Sequence, residues 1–510
     1  MAEECGDSIH PPKSPFKGGL EGGSFKGELA AHTRRDFLVS TAAGAGLLFV
    51  GKAMGQEAAA PQPGPAVPQA VEAPPAPAAP ETPVAPAAPP AEPAALTPGI
   101  KPADLNIALV GLGAEGMVLT DALLRIPGIR FKAVCDIWQY SLKRGSGMLK
   151  KYGHQVNAYV DFDEMLAAEK DKIDAVVVAT PDFVHHVHTI PSLKAGKHVY
   201  CEKEMSNKLE NARQMVLTAR ETGKLLQIGH QRRSNPRYIH AINVLVHDNR
   251  LLGRVTEGYG QWNRAKSDDL SWHPKWEIDP ATLEKYGYES MQQFRNWRWY
   301  KKYGGGPIVD LGSHQIDIFS WVFGVNPKSV MASGGIDFYK THEWYDNVLA
   351  TFEYENAEGI SRAFYQVLTT TSYGGFYEAF MGENGTLVIS EVPQKGNHLL
   401  REVSAPEWEP YVNRGLLDKQ PAPPSTTQKL KNIVLDVRVS AELGSWPLPI
   451  QFNKPPHQAH LENFFDAIRL GTPLSCPAEI GFETAVAVLK VNEAVEAGTK
   501  LSYAPQEFKA

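Results

Sequence analysis

Asn106-Ile107-Ala108-Leu109-Val110-Gly111-Leu112-Gly113-Ala114-Glu115-Gly116 decides the fold. A continuous apolar run that ends in glycines spaced G-x-G-x-x-G predicts a buried parallel strand turning sharply into a helix. Gly111 permits the tight turn, Gly113 lets the backbone approach a pyrophosphate, and Gly116 allows the helix to lie close on the strand. The helix N-terminus then faces the anion. Glycine-rich turns have many uses, so the neighbouring sequence must carry part of the weight. It does: a second apolar run, Phe131 to Val134, ends in Cys135-Asp136, twenty residues after Gly116. An acidic side chain at that place accepts hydrogen bonds from a ribose diol and repels a 2′-phosphate, which puts NAD ahead of NADP. Helix capping is the other reading of Asp136.

The same alternation continues outward. Asp161-Phe162-Asp163-Glu164 reads as a capping box opening a helix. Ile173 to Thr180, His198 to Cys201 and Leu225 to Gly229 read as further buried strands. Strands that alternate with helical stretches indicate a parallel sheet covered on both faces.

Composition sets the limits. The chain has 510 residues with 51 basic and 57 acidic side chains, a formal charge of −6, which excludes the strongly basic balance of nucleic-acid binding. Four Cys exclude a disulfide scaffold. Fourteen Pro and 15 Ala fall between Glu57 and Gly99, a composition that cannot bury enough apolar area to order itself. Four segments follow: a signal region over 1–55, a Pro/Ala-rich disordered linker over 56–104, an NAD-binding domain over 105–232 and a substrate and oligomerisation domain over 233–510. In the first, Thr33-Arg34-Arg35-Asp36-Phe37-Leu38 precedes an apolar run from Val39 to Val50 that is too short to span a bilayer. It resembles a twin-arginine export signal. The expectation is a periplasmic or otherwise exported protein with no integral membrane span in its mature form.

Two further stretches resemble a known family. Thr180-Pro181-Asp182-x-x-His185 and Ala195-Gly196-Lys197-His198-Val199-Tyr200-Cys201-Glu202-Lys203 look like the Gfo/Idh/MocA oxidoreductases. The resemblance implies an α/β protein: a Rossmann domain followed by an α/β domain built on a large open antiparallel sheet. It further implies NAD(P)-dependent oxidation of a hydroxyl on a sugar, polyol or related compound, and association into a dimer or tetramer. Thr180, Pro181, His185 and Glu202 would lie at the cofactor, and Lys203 beside nicotinamide and substrate. An ammonium at a strand's carboxyl end can stabilise developing alkoxide charge. Where the family usually has Pro after this Glu-Lys pair, often with a cis peptide, this chain has Glu204. A carboxylate there should favour the charged form of Lys203. His185, His186 and His188 also admit a metal reading, but no further anchored ligand accompanies them, and no metal is expected.

The second domain carries Gly304-Gly305-Gly306-Pro307-Ile308-Val309-Asp310-Leu311-Gly312-Ser313-His314. Pro307 suits a helix start, and Asp310 and His314 are then expected at i and i+4 on one face, the carboxylate orienting the imidazole. Alcohol oxidation needs a base for the hydroxyl proton, and imidazole suits that task. The stretch resembles the catalytic helix of inositol dehydrogenase-like members, which implies His314 as base, Asp310 as its partner and substrate ligand, and Lys203 as electrostatic stabiliser. Glucose–fructose oxidoreductase-like members carry Tyr where this chain has His314.

Arg232 and Arg233 follow the last strand of the first domain, where substrate contact and interdomain ion pairing are both open. Trp297 and Arg298 precede the glycines and are further substrate candidates; five of the ten Trp cluster between Trp262 and Trp299, most of them expected in the core. His457 to Leu470 and Ala478 to Ala497 read as helices, the second packing back on the first domain. Cys135, Cys201 and Cys476 are expected as free thiols.

These readings favour an exported oxidoreductase with a tightly held nicotinamide cofactor, acting on a carbohydrate or polyol. The alternative is an NAD-dependent glycoside hydrolase working by transient oxidation, elimination and hydration. A nonenzymatic sugar-binding protein on the same fold is disfavoured by Lys203, Asp310 and His314.

Overall fold

The structure is a computed structural model, and it describes residues 103–419 and 443–510. The twin-arginine stretch and the Pro/Ala-rich stretch lie outside the described residues.

The glycine-flanked apolar run forms strand β1 (Leu105–Val110), followed by helix α1 (Ala114–Leu123). Then come β2 (Ile129–Cys135), α2 (Gln139–Lys151), β3 (Asn157–Tyr159), α3 (Phe162–Glu169) and β4 (Ala175–Val178). The unit finishes with α4 (His185–Lys194), β5 (His198–Cys201), α5 (Leu209–Thr222) and β6 (Leu226–Ile228). The strand order is β3-β2-β1-β4-β5-β6 with every neighbour parallel, a doubly wound Rossmann sheet whose direction reverses between β1 and β4. Helices cover both faces, which is why all four residues of β4 are buried. Asp161 caps α3, accepting from the backbone N–H groups of Asp163 and Glu164.

The second domain sets helices against a nine-stranded sheet. Its helices are α6 (Pro236–Ile239), α7 (Pro280–Lys285), α8 (Met291–Arg295), α9 (Gly306–Asp310), α10 (Ser313–Phe323), α11 (Glu409–Asn413), α12 (Pro456–Leu470) and α13 (Ala478–Ala497). Its strands are β7 (Val255–Asn263), β8 (Pro327–Gly335), β9 (Asn347–Asn356), β10 (Gly359–Leu368), β11 (Phe376–Gly382), β12 (Gly385–Ile389), β13 (His398–Arg401), β14 (Gly444–Pro447) and β15 (Leu501–Ser502). They lie in the order β14-β13-β12-β11-β7-β10-β9-β8-β15. The expected antiparallel sheet needs one correction: β7 and β10 run parallel, so the sheet is mixed. The chain leaves β7 through α9 and α10 and restarts at β8. Two hairpin reversals then bring β10 beside β7, pointing the same way.

The two domains share their cores. Leu461, Phe464 and Phe465 of α12 join Leu119, Leu123 and Tyr200 of the first domain. Val486 and Val491 of α13 belong to one apolar cluster with Met215, Ile228 and Val330. The stretch between β7 and α9 also returns to the first domain, where Trp138 packs with Ile278, Leu283, Tyr288 and Met291. The indole N–H of Trp138 donates to the Trp276 carbonyl at 2.5 Å. Cys135, Cys201 and Cys476 are buried and free. Among the described residues no helix is long and apolar enough to cross a membrane.

Candidate active site

A cavity of about 1210 Å³ opens over the carboxyl ends of β1, β2, β4 and β5. Its lining joins Gly111, Gly113, Asp136, Thr180, Pro181, Glu202 and Lys203 to Trp297, Arg298, Asp310 and His314 of the second domain. The crevice outside the strand ends at the switch point, where open α/β sheets bind ligands, is thus where the two halves meet.

The glycine loop passes a test for a dinucleotide. Gly111 has φ +92°, and a Cβ there would stand 2.4 Å from the Ala179 carbonyl oxygen. A Cβ on Gly116 would stand 2.0 Å from the Gly111 oxygen, so neither position admits a side chain. A Cβ on Gly113 would meet nothing within 4 Å: this residue fronts the open crevice at the start of α1. Asp136 accepts the N–H of Leu112 on one oxygen and of Trp138 on the other, both at 2.7 Å. Burial pushes its carboxyl up to about 6 against the pull of those bonds and of Arg144 and Arg295. Each oxygen keeps a lone pair for a ribose hydroxyl.

At the other end, the peptide between Lys203 and Glu204 is cis. The Lys203 ammonium donates to the Asp310 carbonyl at 2.5 Å and to Asp310 Oδ1 at 3.1 Å. Arg298 Nε donates to Asp310 Oδ2 at 3.1 Å. Burial alone would raise the Asp310 carboxyl, but Arg298 and Lys203 hold it well below the usual range. Burial likewise works against the ammonium, and Asp310 and Asp182 outweigh it, so Lys203 stays charged. Burial and the charges of Lys203 and Arg232 keep the His314 imidazole neutral, well below its ordinary pKa. Its Nδ1 is sealed from solvent with no hydrogen-bond partner among the described residues.

Several expectations need correction. Asp310 and His314 do not share a helix: α9 ends at Asp310 and α10 begins at Ser313. A Cβ on Gly312 would stand 2.3 Å from the Ile308 oxygen, so the chain turns there in a space only glycine fills. The Asp310 carboxylate accordingly faces Lys203 and Arg298 rather than the imidazole. Glu204 is not what keeps Lys203 charged. It is fully buried, burial pushes it up to about 8, and it accepts the Met205 N–H. His185 does not line the cavity: its Nδ1 and Nε2 each lie 2.7 Å from a carbonyl oxygen, of Glu204 and Thr180, behind the wall. His188 lines it instead, 3.1 Å from Thr180 Oγ1.

Arg232 and Arg233 are taken out of the substrate set. Arg232 is 1 % exposed and pairs with Glu378 and Glu391, and Arg233 grips both oxygens of Asp317. Neither lines the cavity. Trp297 and Arg298 do, the guanidinium 4.3 Å from the indole centroid. Glu202 is buried, accepts from the Tyr200 hydroxyl at 3.0 Å, and is pushed up to about 8 by burial and by Glu115. Glu115, Glu202 and His457 bring three possible ligand atoms within 4.8 Å of one another, so the donors a metal could use are not His185 and His188.

Sequence reasoning missed Asp182, Arg144, Arg264, Arg295 and His457, all of which line the cavity. Asp182 stands inside the Thr-Pro-Asp motif and could have been singled out; burial pushes it up to about 7. The others carry no local sequence pattern.

Residues 105–230 match the family model described as "Oxidoreductase family, NAD-binding Rossmann fold", and residues 285–388 match "GFO/IDH/MocA C-terminal domain". The chain is 33% identical to inositol 2-dehydrogenase of Rubrobacter xylanophilus over 35% of this chain and 49% of that one. It is 26% identical to a glycosyl hydrolase family 109 protein of Shewanella amazonensis over 48% of this chain and 53% of that one. The chain spans about half the length of the curated relatives it matches. The aldose-aldose oxidoreductase of Caulobacter crescentus superposes with a TM-score of 0.57 at 19% identity, over 78% of this chain and 100% of that one, a likeness of fold. With a matching glycine loop, a matching sheet domain and both family models in place, residues 105–230 and 285–388 carry the two domains of the Gfo/Idh/MocA oxidoreductases.

Proposed function

We propose that this protein transfers a hydride between a nicotinamide dinucleotide and a hydroxyl of a sugar, polyol or related compound. The observation that carries the reading is the convergence of Lys203 from the first domain with Asp310 and His314 from the second over one cavity that also holds the glycine loop. A nicotinamide bound there supplies the hydride acceptor. The Lys203 ammonium stabilises the oxygen of the reacting hydroxyl as negative charge develops. The neutral His314 imidazole takes the hydroxyl proton on the ring edge that lines the cavity. Asp310 fixes the ammonium and the Arg298 guanidinium and offers an acceptor to a neighbouring hydroxyl.

The cofactor is tightly held in this reading. Residues 276–303 of the second domain roof the nucleotide crevice. Lys285 and Tyr286 bond Asp161, and Tyr288 and Tyr303 pack on Phe183. The protein is exported by the twin-arginine route with that cofactor inside, as Thr33–Leu38 suggest. It associates through its sheet, where Met331, Leu349 and Ile360 are exposed.

The test is mass spectrometry of dinucleotide released from the purified full chain, then a carbohydrate and polyol panel monitored for cofactor reduction. Reduction by one class of hydroxyl compound, abolished in Lys203→Ala, is expected. Reduction unaffected by that substitution overturns the assignment. The likeness to a glycosyl hydrolase family 109 protein supports a second reading, a glycosidase that oxidises and re-reduces its substrate. Aglycone release without net cofactor reduction would select it.

A further inference from the structure

The substrate end of the cavity carries cations that its carboxylates do not all answer. Lys203 and Arg298 share one acid there, Asp310, whose Oδ1 accepts from the ammonium and Oδ2 from the guanidinium, each at 3.1 Å. Arg264, a third cation on the cavity wall, takes part in no ion pair and no side-chain hydrogen bond among the described residues. Asp268 also lines the wall, but its carboxylate accepts nothing from Arg264. Arg264 is held in place all the same. It follows the last residue of β7, its N–H donates to the Leu368 carbonyl at 2.8 Å, and its guanidinium lies 5.4 Å from the Trp262 ring centroid. Trp262 is itself stacked on Phe376, with centroids 4.4 Å apart, and its ring lies 5.6 Å from the His314 imidazole. One anchored indole thus neighbours both the reacting imidazole and an unanswered guanidinium.

We propose that Arg264 seats a carboxylate of the substrate, so that the compound oxidised is a sugar acid: one hydroxyl at Lys203 and His314, and a carboxylate on another carbon of the same molecule. The inference rests on the hydride-transfer reading above and names its substrate class. A guanidinium over an indole keeps the edge of its planar fork free, and that fork matches a carboxylate through two parallel N–H···O bonds. A neutral sugar offers it no contact of that strength. A phosphate brings three acceptor oxygens and more charge than one guanidinium answers, whereas a carboxylate is matched one to one. Two cations on one acid, beside a third with none, make this end of the cavity attractive to an anion. The carboxylate is a handle and takes no part in the bond changes, in which the hydroxyl proton goes to His314 and the hydride to the nicotinamide.

The test is a tryptophan-fluorescence titration of the full chain, supplied with NAD, against matched acids and amides: glucuronate and glucuronamide, galacturonate and galacturonamide, gluconate and gluconamide. At least one acid is expected to bind about tenfold more tightly than its amide, the worth of one bidentate charge-assisted contact, and raised salt should narrow the gap. The same acid should reduce the cofactor with a higher kcat/KM than its amide. Arg264→Gln should bring acid and amide within about threefold of each other, and Arg264→Lys should keep part of the preference. A merely structural arginine would move acid and amide together. Acids that bind no better than their amides in all three pairs overturn the proposal, as does a preference that survives Arg264→Gln. Glucose 6-phosphate binding more tightly than every acid overturns the carboxylate assignment as well. Cofactor reduction by a neutral sugar under those outcomes leaves the hydride-transfer reading intact. Absence of reduction by every acid, amide and neutral sugar removes both readings.

Discussion

Arg232 and Arg298 are both arginines near the cleft, and each guanidinium stands within 6 Å of an indole, yet they do opposite work. Arg232 meets two buried carboxylates, Glu378 and Glu391, and is lost to solvent and substrate alike. Arg298 meets one, Asp310, and shares it with Lys203 at the cavity wall. The number of counter-ions separates them. A cation matched by two buried acids is a strut, whereas two cations matched by one acid keep charge to offer a ligand.

The contrast can be broken most forcefully at the strut. Arg232→Met strands two buried acids and should destabilise the protein by about 3–5 kcal/mol, read by chemical denaturation. Adding Glu378→Gln and Glu391→Gln should restore much of that loss. An Arg232→Met variant as stable as the parent would show that the pair is not structural. At the cavity wall the large effect is on rate: Lys203→Ala should lower kcat by about 10²–10³, the cost of one preorganised charge at a developing oxyanion. Its melting temperature should change little. Arg298→Gln should cost about tenfold in kcat/KM, the worth of one charge-assisted hydrogen bond of roughly 1.5 kcal/mol. A loss of stability as large as that of Arg232→Met would erase the distinction between the two arginines.

A pH-dependent effect sharpens the comparison from the acid side. Glu204 is a buried carboxyl with no cation bonded to it among the described residues, and burial raises it from an ordinary 4.5 to about 8. Folding then retains a proton that the unfolded chain releases. The stability this group allows is complete below about 4.5 and is lost as pH rises through about 8. Melting curves of Glu204→Gln against the parent at pH 5 and pH 9 should therefore diverge, the variant gaining at the higher pH. Parallel curves would mean that Glu204 is ionised and paired.

The first domain was legible because its information is local. An apolar run, three glycines at fixed spacing and an acid twenty residues on describe one strand-turn-helix unit and its neighbour, and β5 falls on the expected residues. The terminal helices were legible for the same reason. The parallel β7–β10 pair was not, since nothing within either strand says which partner the chain will return to. Asp310 was found, but its partner was misassigned: spacing i, i+4 implies a shared face only while a helix continues, and Gly312 ends that continuity. Arg232 and Arg233 were ambiguous in sequence because their partners lie 84 to 159 residues away. Arg295 gave no sign at all, being brought to the nucleotide crevice by a fold-back of the second domain.

The interleaved ends of the chain have a consequence for biosynthesis. Phe464 and Phe465 complete the apolar layer beneath β1, and the Ile228 N–H of the last Rossmann strand donates to Cys476 at 3.0 Å. The ribosome releases these residues after all six strands of the first sheet. Although β1 to β6 are translated before α12 and α13, the nucleotide domain remains an unfinished body until both helices have emerged. A chain stopped before α12 would therefore be a target for proteases rather than a smaller working protein.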